Sequence, residues 1–356
     1  MNDLDRLSPH PVMLAPMVGL SHYAVRAALA EFLPLGARAL WPTEMLNSRR
    51  IPDQCENFCP EVFFYDRANG LCPQILGNEE IPIRRSVKKL IEWGAVAIDI
   101  NMGCPVNKAL KHNYGVALMG DPQYAREITA MAVRASKEFS ELSGGIALPV
   151  SVKLRAGFGG TAQLTSQGRI EDTPQINKKY ITSFIAGLFE AGASWVTVHP
   201  RTAEMKRKGR ADWGFLKELK LDLRMPIIGN GDVQMLSDVH DLFEIGGVDR
   251  VMIGRALMAK PWLLSGLTSE PSREEQGALF GKFLKLVLKY TREKYDEPAG
   301  LRRFRFLSVQ ARPWVEYGEF LVGRVQAARN YSELEENLDI FFRQDQRIMG
   351  RTELRQ

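Results

Sequence analysis

Residues 97–105 read Ala-Ile-Asp-Ile-Asn-Met-Gly-Cys-Pro. Ala97, Ile98 and Ile100 make Ala97–Asn101 mostly apolar, the composition of a strand covered by protein on both sides. The strand runs without a spacer into Gly103, Cys104 and Pro105, which are turn residues. Strands buried on both faces belong to parallel sheets, whose crossover helices supply the cover. The pattern should then repeat on either side of this stretch.

It does. Upstream, strands are expected over Val12–Ala15, Ala39–Glu44 and Gln74–Leu76. Downstream, they are expected over Val150–Leu154, Trp195–His199, Ile227–Gly229 and Arg250–Ile253. Helical stretches alternate with them: Tyr23–Phe32, Ile83–Trp93, Pro122–Glu138, Ile181–Ala191, Trp213–Leu219 and Met235–Ile245. Eight such units in series predict an α/β fold of the (β/α)8 TIM-barrel class. The rival, a doubly wound sheet, would carry G-x-G-x-x-G after its first strand, and "LAPMVGLS" at 14–21 does not.

Two segments break the rhythm. Arg50–Gly70 is irregular, and Phe158–Lys178 is a polar stretch long enough to be a lid or an insertion. After Leu264 the rhythm changes. "GLTSEPSREE" at 266–275 reads as a linker ending in a helix start. Helices are then expected over Phe280–Tyr295, Leu301–Tyr317, Phe320–Asn330 and Glu333–Arg347. The expected division is a barrel over 1–264 and a small all-α domain over 265–356.

Composition bounds the function. In 356 residues, 45% are apolar and 25% charged, an ordinary globular balance. No apolar run approaches the roughly 18 residues of a membrane span, and Met1–Pro11 lacks the basic-then-apolar order expected of a signal peptide. Four unevenly spaced cysteines do not form a disulfide framework. The expected setting is cytoplasmic, away from membranes, as a monomer without a stable protein partner. Cys55, Cys59 and Cys72 cluster in the chain, but their spacing is a weak metal signal, and no metal is expected.

In a (β/α)8 barrel the active site lies at the carboxyl ends of the strands. Those ends carry Pro16 and Met17, then Thr43 and Glu44, while the third strand begins with Gln74. Next come Asn101 and Cys104, Lys153 and Arg155, and His199 and Arg201. The last two bring Asn230, Gly231 and Asp232, then Gly254 and Arg255. Each alone has a bland reading: a strand-end lysine is usually paired, a lone histidine usually a satisfied core group. Their convergence on one rim points to chemistry. The glycine-rich ends of the seventh and eighth strands precede helices, a setting that suits a phosphate, with Arg255 adding charge. A phosphate-tailed cofactor across the barrel mouth follows; flavin mononucleotide and a phosphorylated sugar fit these residues equally well. Cys104 sits on the rim with Lys108, Lys111 and His112 close behind. A thiol is largely protonated near neutral pH, so it can be an acid or, when ionised, a nucleophile.

The sequence resembles the tRNA-dihydrouridine synthase family. The matching pieces are "LAPMVGLSHYAVR", "TEML", "QILG", "DINMGCPVNK", "ALMGDP", "SVKLRAGF", "VTVHPRT", "ADW", "PIIGNGDV" and "VMIGRALMAKPWL", across 11–263. The resemblance implies an FMN-binding barrel followed by a helical domain. It implies that Pro16, Met17 and Val18 line the flavin ring and that Gln74 bonds its polar edge. Lys153 and His199 would hold the flavin, and Asn230, Gly231, Asp232, Gly254 and Arg255 its ribityl phosphate. Asn101 and Arg155 would contact the uracil. NADPH or NADH would be the reductant, hydride would reach C6 of the uracil, and Cys104 would protonate C5. Three features depart from the family pattern: Lys111–Gly115 where a glycine-rich stretch is usual, Pro200 where a glycine is usual, and the longer Phe158–Lys178 insertion.

Residues 281–312 hold nine Lys or Arg against three acids. Lys282, Lys285, Lys289 and Arg292 recur at helical spacing, and Arg302, Arg303 and Arg305 surround Phe304. A solvated helix face is the plain reading; joined to a tRNA-modifying barrel, the charges become expected phosphate contacts. The alternatives are a flavin barrel acting on a free small molecule, as a dihydroorotate dehydrogenase or an ene-reductase does, and an RNA-binding protein without catalysis.

Overall fold

The computed structural model describes residues 1–55, 59, 61–63, 70–142, 144–157, 176–206 and 208–353, apart from the side chains of 107 and 108. Most of the Phe158–Lys178 insertion and part of Arg50–Gly70 lie outside the described residues.

The strands are β1 (Val12–Leu14), β2 (Trp41–Asn47), β3 (Leu71–Leu76), β4 (Ile98–Met102), β5 (Val150–Arg155), β6 (Trp195–His199), β7 (Ile227–Asn230) and β8 (Arg250–Ile253). All pair in parallel, in the order β1-β8-β7-β6-β5-β4-β3-β2. At the remaining seam, the chains leading into β1 and β2 are tied together. The His10 N–H donates to the Arg38 carbonyl at 3.2 Å, and the Leu40 N–H to the Ser8 hydroxyl at 3.3 Å. This is the expected barrel.

Its interior is closed at the amino-terminal end. Leu4 lies on the short helix α1 (Asp3–Leu7) and is fully buried with Met13, Leu40, Trp195, Ile228 and Met252. The carboxyl-terminal mouth stays open. Outside, amphipathic helices cover the strands with their apolar faces. They are α2 (Tyr23–Ala30), α3 (Glu80–Glu92), α5 (Pro122–Leu142), α6 (Lys178–Glu190), α7 (Trp213–Leu223) and α8 (Leu236–Glu244); the short α4 (Asn107–Lys111) lies in the loop after β4.

Four more helices follow: α9 (Arg273–Lys294), α10 (Glu297–Ala311), α11 (Gly318–Ala327) and α12 (Tyr331–Phe341). α9 starts seven residues before the expected Phe280. Ser272 and Glu275 form a capping box there: the Ser272 hydroxyl accepts the Glu275 N–H at 3.3 Å, and the Glu275 carboxylate accepts the Ser272 N–H at 2.7 Å. α12 stops at Phe341, short of the expected Arg347, and the chain turns back to make an antiparallel bridge between Ile348 and Val315.

The helical region packs on the barrel as core against core. Phe283 of α9 meets Phe32 edge to face, and the Tyr290 hydroxyl donates to Glu31 at 2.7 Å. Buried Trp314 donates its indole N–H to the Gln234 side chain at 2.9 Å. Lys260, also buried, donates to the carbonyls of Gln234 and Gly350. No helix among the described residues is long and apolar enough to cross a membrane.

Candidate active site at the carboxyl ends of the strands

The barrel mouth holds a cavity of about 530 Å³. It is lined by Pro16, Met17 and Val18 after β1, Lys153 and Arg155 of β5, His199 and Arg201 after β6, Asn230, Gly231 and Asp232 after β7, and Gly254 and Arg255 after β8. Most of the expected site residues therefore meet in one place. The volume falls in the range of small-molecule sites, about 300–1,000 Å³.

The cavity is cationic. Burial pushes His199 well below its ordinary pKa, and Arg155, Lys153, Arg201 and Arg255 press it down further. The imidazole is neutral at pH 7. Burial, with Arg155 beside it, brings Lys153 down to about 8, while Asp99 opposes the shift. Lys153 donates to the Asn230 amide oxygen at 3.0 Å, and the Asn230 amide nitrogen donates to the Met252 carbonyl at 2.7 Å. Arg201 is paired with Asp232 at 2.7 Å, so this carboxylate fixes an arginine and also accepts the Ala211 N–H.

One expectation fails here. The start of α8 does not offer free N–H groups to a phosphate. Asp238 accepts the N–H groups of Gln234 and Met235 at 2.7 and 2.9 Å, and Glu270 accepts that of Leu236 at 2.6 Å. Two carboxylates already occupy that helix end.

Cys104, Asn101 and Gln74 stand beside the cavity, outside its lining. Asn101 is next to Lys153 in the β4–β5 ladder. Its amide oxygen accepts the Gly103 and Cys104 N–H groups at 3.1 and 3.0 Å, and its amide nitrogen donates to Gln74 at 2.7 Å. Buried Gln74 in turn donates to Asp99 at 2.6 Å. Asp99 is itself shifted upward, chiefly by burial. Arg155 holds the same loop from the cavity side, donating to the Gly103 carbonyl at 3.1 Å.

Cys104 is a free, partly exposed thiol. Its loop rests on Gly115, where an added Cβ would lie 2.7 Å from the Cys104 carbonyl oxygen; Gly115 also has φ +59. The unusual stretch before it is ordered by stacking: His112 lies over Tyr114, and Arg49 over the Tyr114 ring at 5.6 Å. The other thiols stand apart from this chemistry. Cys55 is exposed, and Cys59 and Cys72 are buried. Among the described residues no group of three His, Cys, Asp or Glu is placed to hold a metal.

The helical arginines divide. Arg302 is exposed. Arg303 instead turns inward, between Glu44 at 3.1 Å and Glu61 at 3.4 Å, over the Tyr295 ring. Arg305 donates to the Ala328 carbonyl at 2.7 Å. The stripe on α9 is exposed as expected, yet Lys285 pairs with Asp339 and Arg292 with Glu335.

Sequence reading missed three features. Asp99 was visible as an acid inside an apolar strand. The loop after β6 exposes Lys206, Lys208 and Arg210; Arg155 and Arg201 pin it by donating to the Lys206 and Gly209 carbonyls at 3.0 and 2.7 Å. Phe306 and Gln310 of α10 line the cavity, and nothing in the helical pattern marks them.

Comparison with known proteins places this geometry. The profile of the dihydrouridine synthase (Dus) family matches residues 13–343. A Rickettsia bellii protein named "Probable tRNA-dihydrouridine synthase" is 31% identical over 300 residues, 82% of each chain. One of the same name from Rickettsia conorii is 29% identical, over 83% of this chain and 84% of its own. Among solved structures, morphinone reductase is similar over 77% of this chain and 89% of its own, at 11% identity and a TM-score of 0.43.

Proposed function

The chain belongs to the dihydrouridine synthase family, and on that premise we propose that it reduces uridines in tRNA to dihydrouridine, using flavin mononucleotide held in the cation-lined cavity. The observation that carries this reading is the convergence of Lys153, Arg155, Arg201 and Arg255 around a neutral His199, beside the loop of a free thiol.

The residues present suit that cofactor. Lys153 and Arg255 offer positive charge to an anionic ligand, and Gly231 and Gly254 let it approach the backbone. His199, uncharged, can donate or accept a hydrogen bond. Pro16, Met17 and Val18 give the ring an apolar lip. Gln74 spends one amide hydrogen on Asp99 and keeps the other for a polar edge. When bound and reduced, the flavin supplies the hydride that reaches C6 of the uracil, with NADPH or NADH as the source of electrons.

Cys104 gives its thiol proton to C5. Its partial exposure and its place in a loop held at both ends suit a general acid, which must reach its target without drifting. Asn101 and Arg155 border the uracil and act through the loop as well, because both hold the backbone around Gly103 and Cys104. A stacked uracil cannot reach the cavity, so the target nucleotide is extruded from the RNA. The exposed Lys206, Lys208 and Arg210 and the exposed Arg302 are suited to the phosphates around it. In this scheme residues 1–264 are the catalytic barrel, and residues 265–356 are a tRNA-binding domain that also completes the mouth.

The test uses purified protein, unmodified tRNA and NADPH. Yellow flavin absorbance and dihydrouridine detected by mass spectrometry are expected. Bound flavin that turns over only a free pyrimidine or enone would replace this reading with that of a small-molecule reductase.

A further inference from the structure

The cavity has a wall that the barrel does not supply. Phe306 and Gln310 stand one turn apart on α10, and both reach the lining. Phe306 is 42% exposed. The Gln310 side chain makes no hydrogen bond among the described residues. A half-exposed apolar ring and an amide without a hydrogen bond among the described residues, both on the wall of a cationic cavity, are available to a ligand there.

Their position is fixed from two sides. The Phe306 ring lies directly on Gly19, the residue after the expected flavin-lining loop. A Cβ at Gly19 would come within 2.8 Å of two ring carbons, and Gly19 has φ +77, so only glycine makes this seat. One turn earlier on the same helix, Arg303 bonds one Glu44 oxygen at 3.1 Å. The other Glu44 oxygen accepts the Gly19 N–H at 2.9 Å. Glu44 thus clamps the loop and the helix together, and the ring is held where the two meet.

We propose that Phe306 and Gln310 form a subsite for the extruded nucleoside. The ring packs against the nucleoside face, and the Gln310 amide bonds a polar edge. This subsite rests on the tRNA reading above. Its physical basis is that a base leaving its stack loses neighbours that an aromatic ring can replace. A helix held to the barrel by a partly buried ion pair keeps that ring from yielding.

The test compares Phe306→Ala, Phe306→Leu, Phe306→Tyr and Gln310→Ala with wild type. Steady-state kcat/KM on tRNA, flavin content, and the rate of flavin reduction by NADPH without tRNA are measured. Phe306→Ala should lower kcat/KM on tRNA by about tenfold to a hundredfold, the range of one lost base–aromatic contact. Flavin content and reduction rate should stay near wild type. Phe306→Tyr should recover most of the loss, Phe306→Leu only part, and Gln310→Ala should cost severalfold. Unchanged kcat/KM in Phe306→Ala would overturn the subsite, as would an equal fall in flavin reduction. If Phe306→Ala does not fold, Phe306→Leu and Gln310→Ala decide the matter by the same readouts. Wild-type protein that forms no dihydrouridine would instead overturn the parent reading.

Discussion

Lys153, Arg155 and Arg255 at the strand ends line an open cavity, even though Lys153 also bonds Asn230 and Arg155 the carbonyls around it, whereas Lys285, Arg292, Arg303 and Arg305 in the helical region meet carboxylates and carbonyls away from that cavity. In the sequence the helical set is the more conspicuous, because its charges are adjacent and periodic. The fold reverses that ranking. A barrel delivers one residue from each strand to a common rim, so charges far apart in the chain share a cavity that a ligand must neutralise. Charges at helical spacing meet acids on the neighbouring helix, and Lys285 and Arg292 both find theirs on α12.

The contrast breaks most sharply at the rim. Cys104→Ala should lower dihydrouridine formation by about 10²–10⁴-fold, the usual contribution of a general acid, with flavin content unchanged. Full turnover in this variant would remove the thiol from the reaction.

The opposite behaviour is expected of Arg303. Its loss leaves the mostly buried Glu44 without its ion-pair partner, though still bonded by the Gly19 N–H, so Arg303→Ala should lower unfolding stability by about 1–3 kcal/mol in denaturant titrations. A stable variant with weakened tRNA binding would return Arg303 to the role of a phosphate contact.

A pH titration sharpens the cavity side. Lys153 carries a pKa of about 8, below its ordinary 10.5. Raising the pH from 7 to 9 removes its charge, so affinity for an anionic flavin should fall about tenfold. The slope should be lost in Lys153→Arg. Linkage in the ligand-free protein has the other sign: the unfolded chain holds this proton more tightly, so Lys153 adds stability as pH rises from 8 toward 10.5. The smallest effect belongs to Lys285→Ala. Its exposed pair with Asp339 should leave the unfolding midpoint where it was, and a clear drop would show that the stripe is structural.

Much of the barrel was legible because its strands announce themselves locally. Trp195–His199 and Arg250–Ile253 have the bounds read from the sequence, and the strand-end rule alone gathers Lys153, His199 and Arg255 on one rim. What escaped depends on distant partners. Glu270 closes the start of α8 from 34 residues away, and Arg303 meets Glu44 across 259. No local pattern contains such contacts. The Cys104 loop lay between these cases: the glycine on which it rests was visible as Gly115, but the close approach that demands it was not. The same long-range packing makes removal of everything after Leu264 a poor probe of RNA binding. It would uncover the α2 face that Phe283 and Tyr290 cover and remove a wall of the cavity.

The most direct test of the account is the mapping of dihydrouridine in RNA from cells with and without this gene. Loss of the modification at one or more tRNA positions is the predicted result. An unchanged map at every position would contradict it.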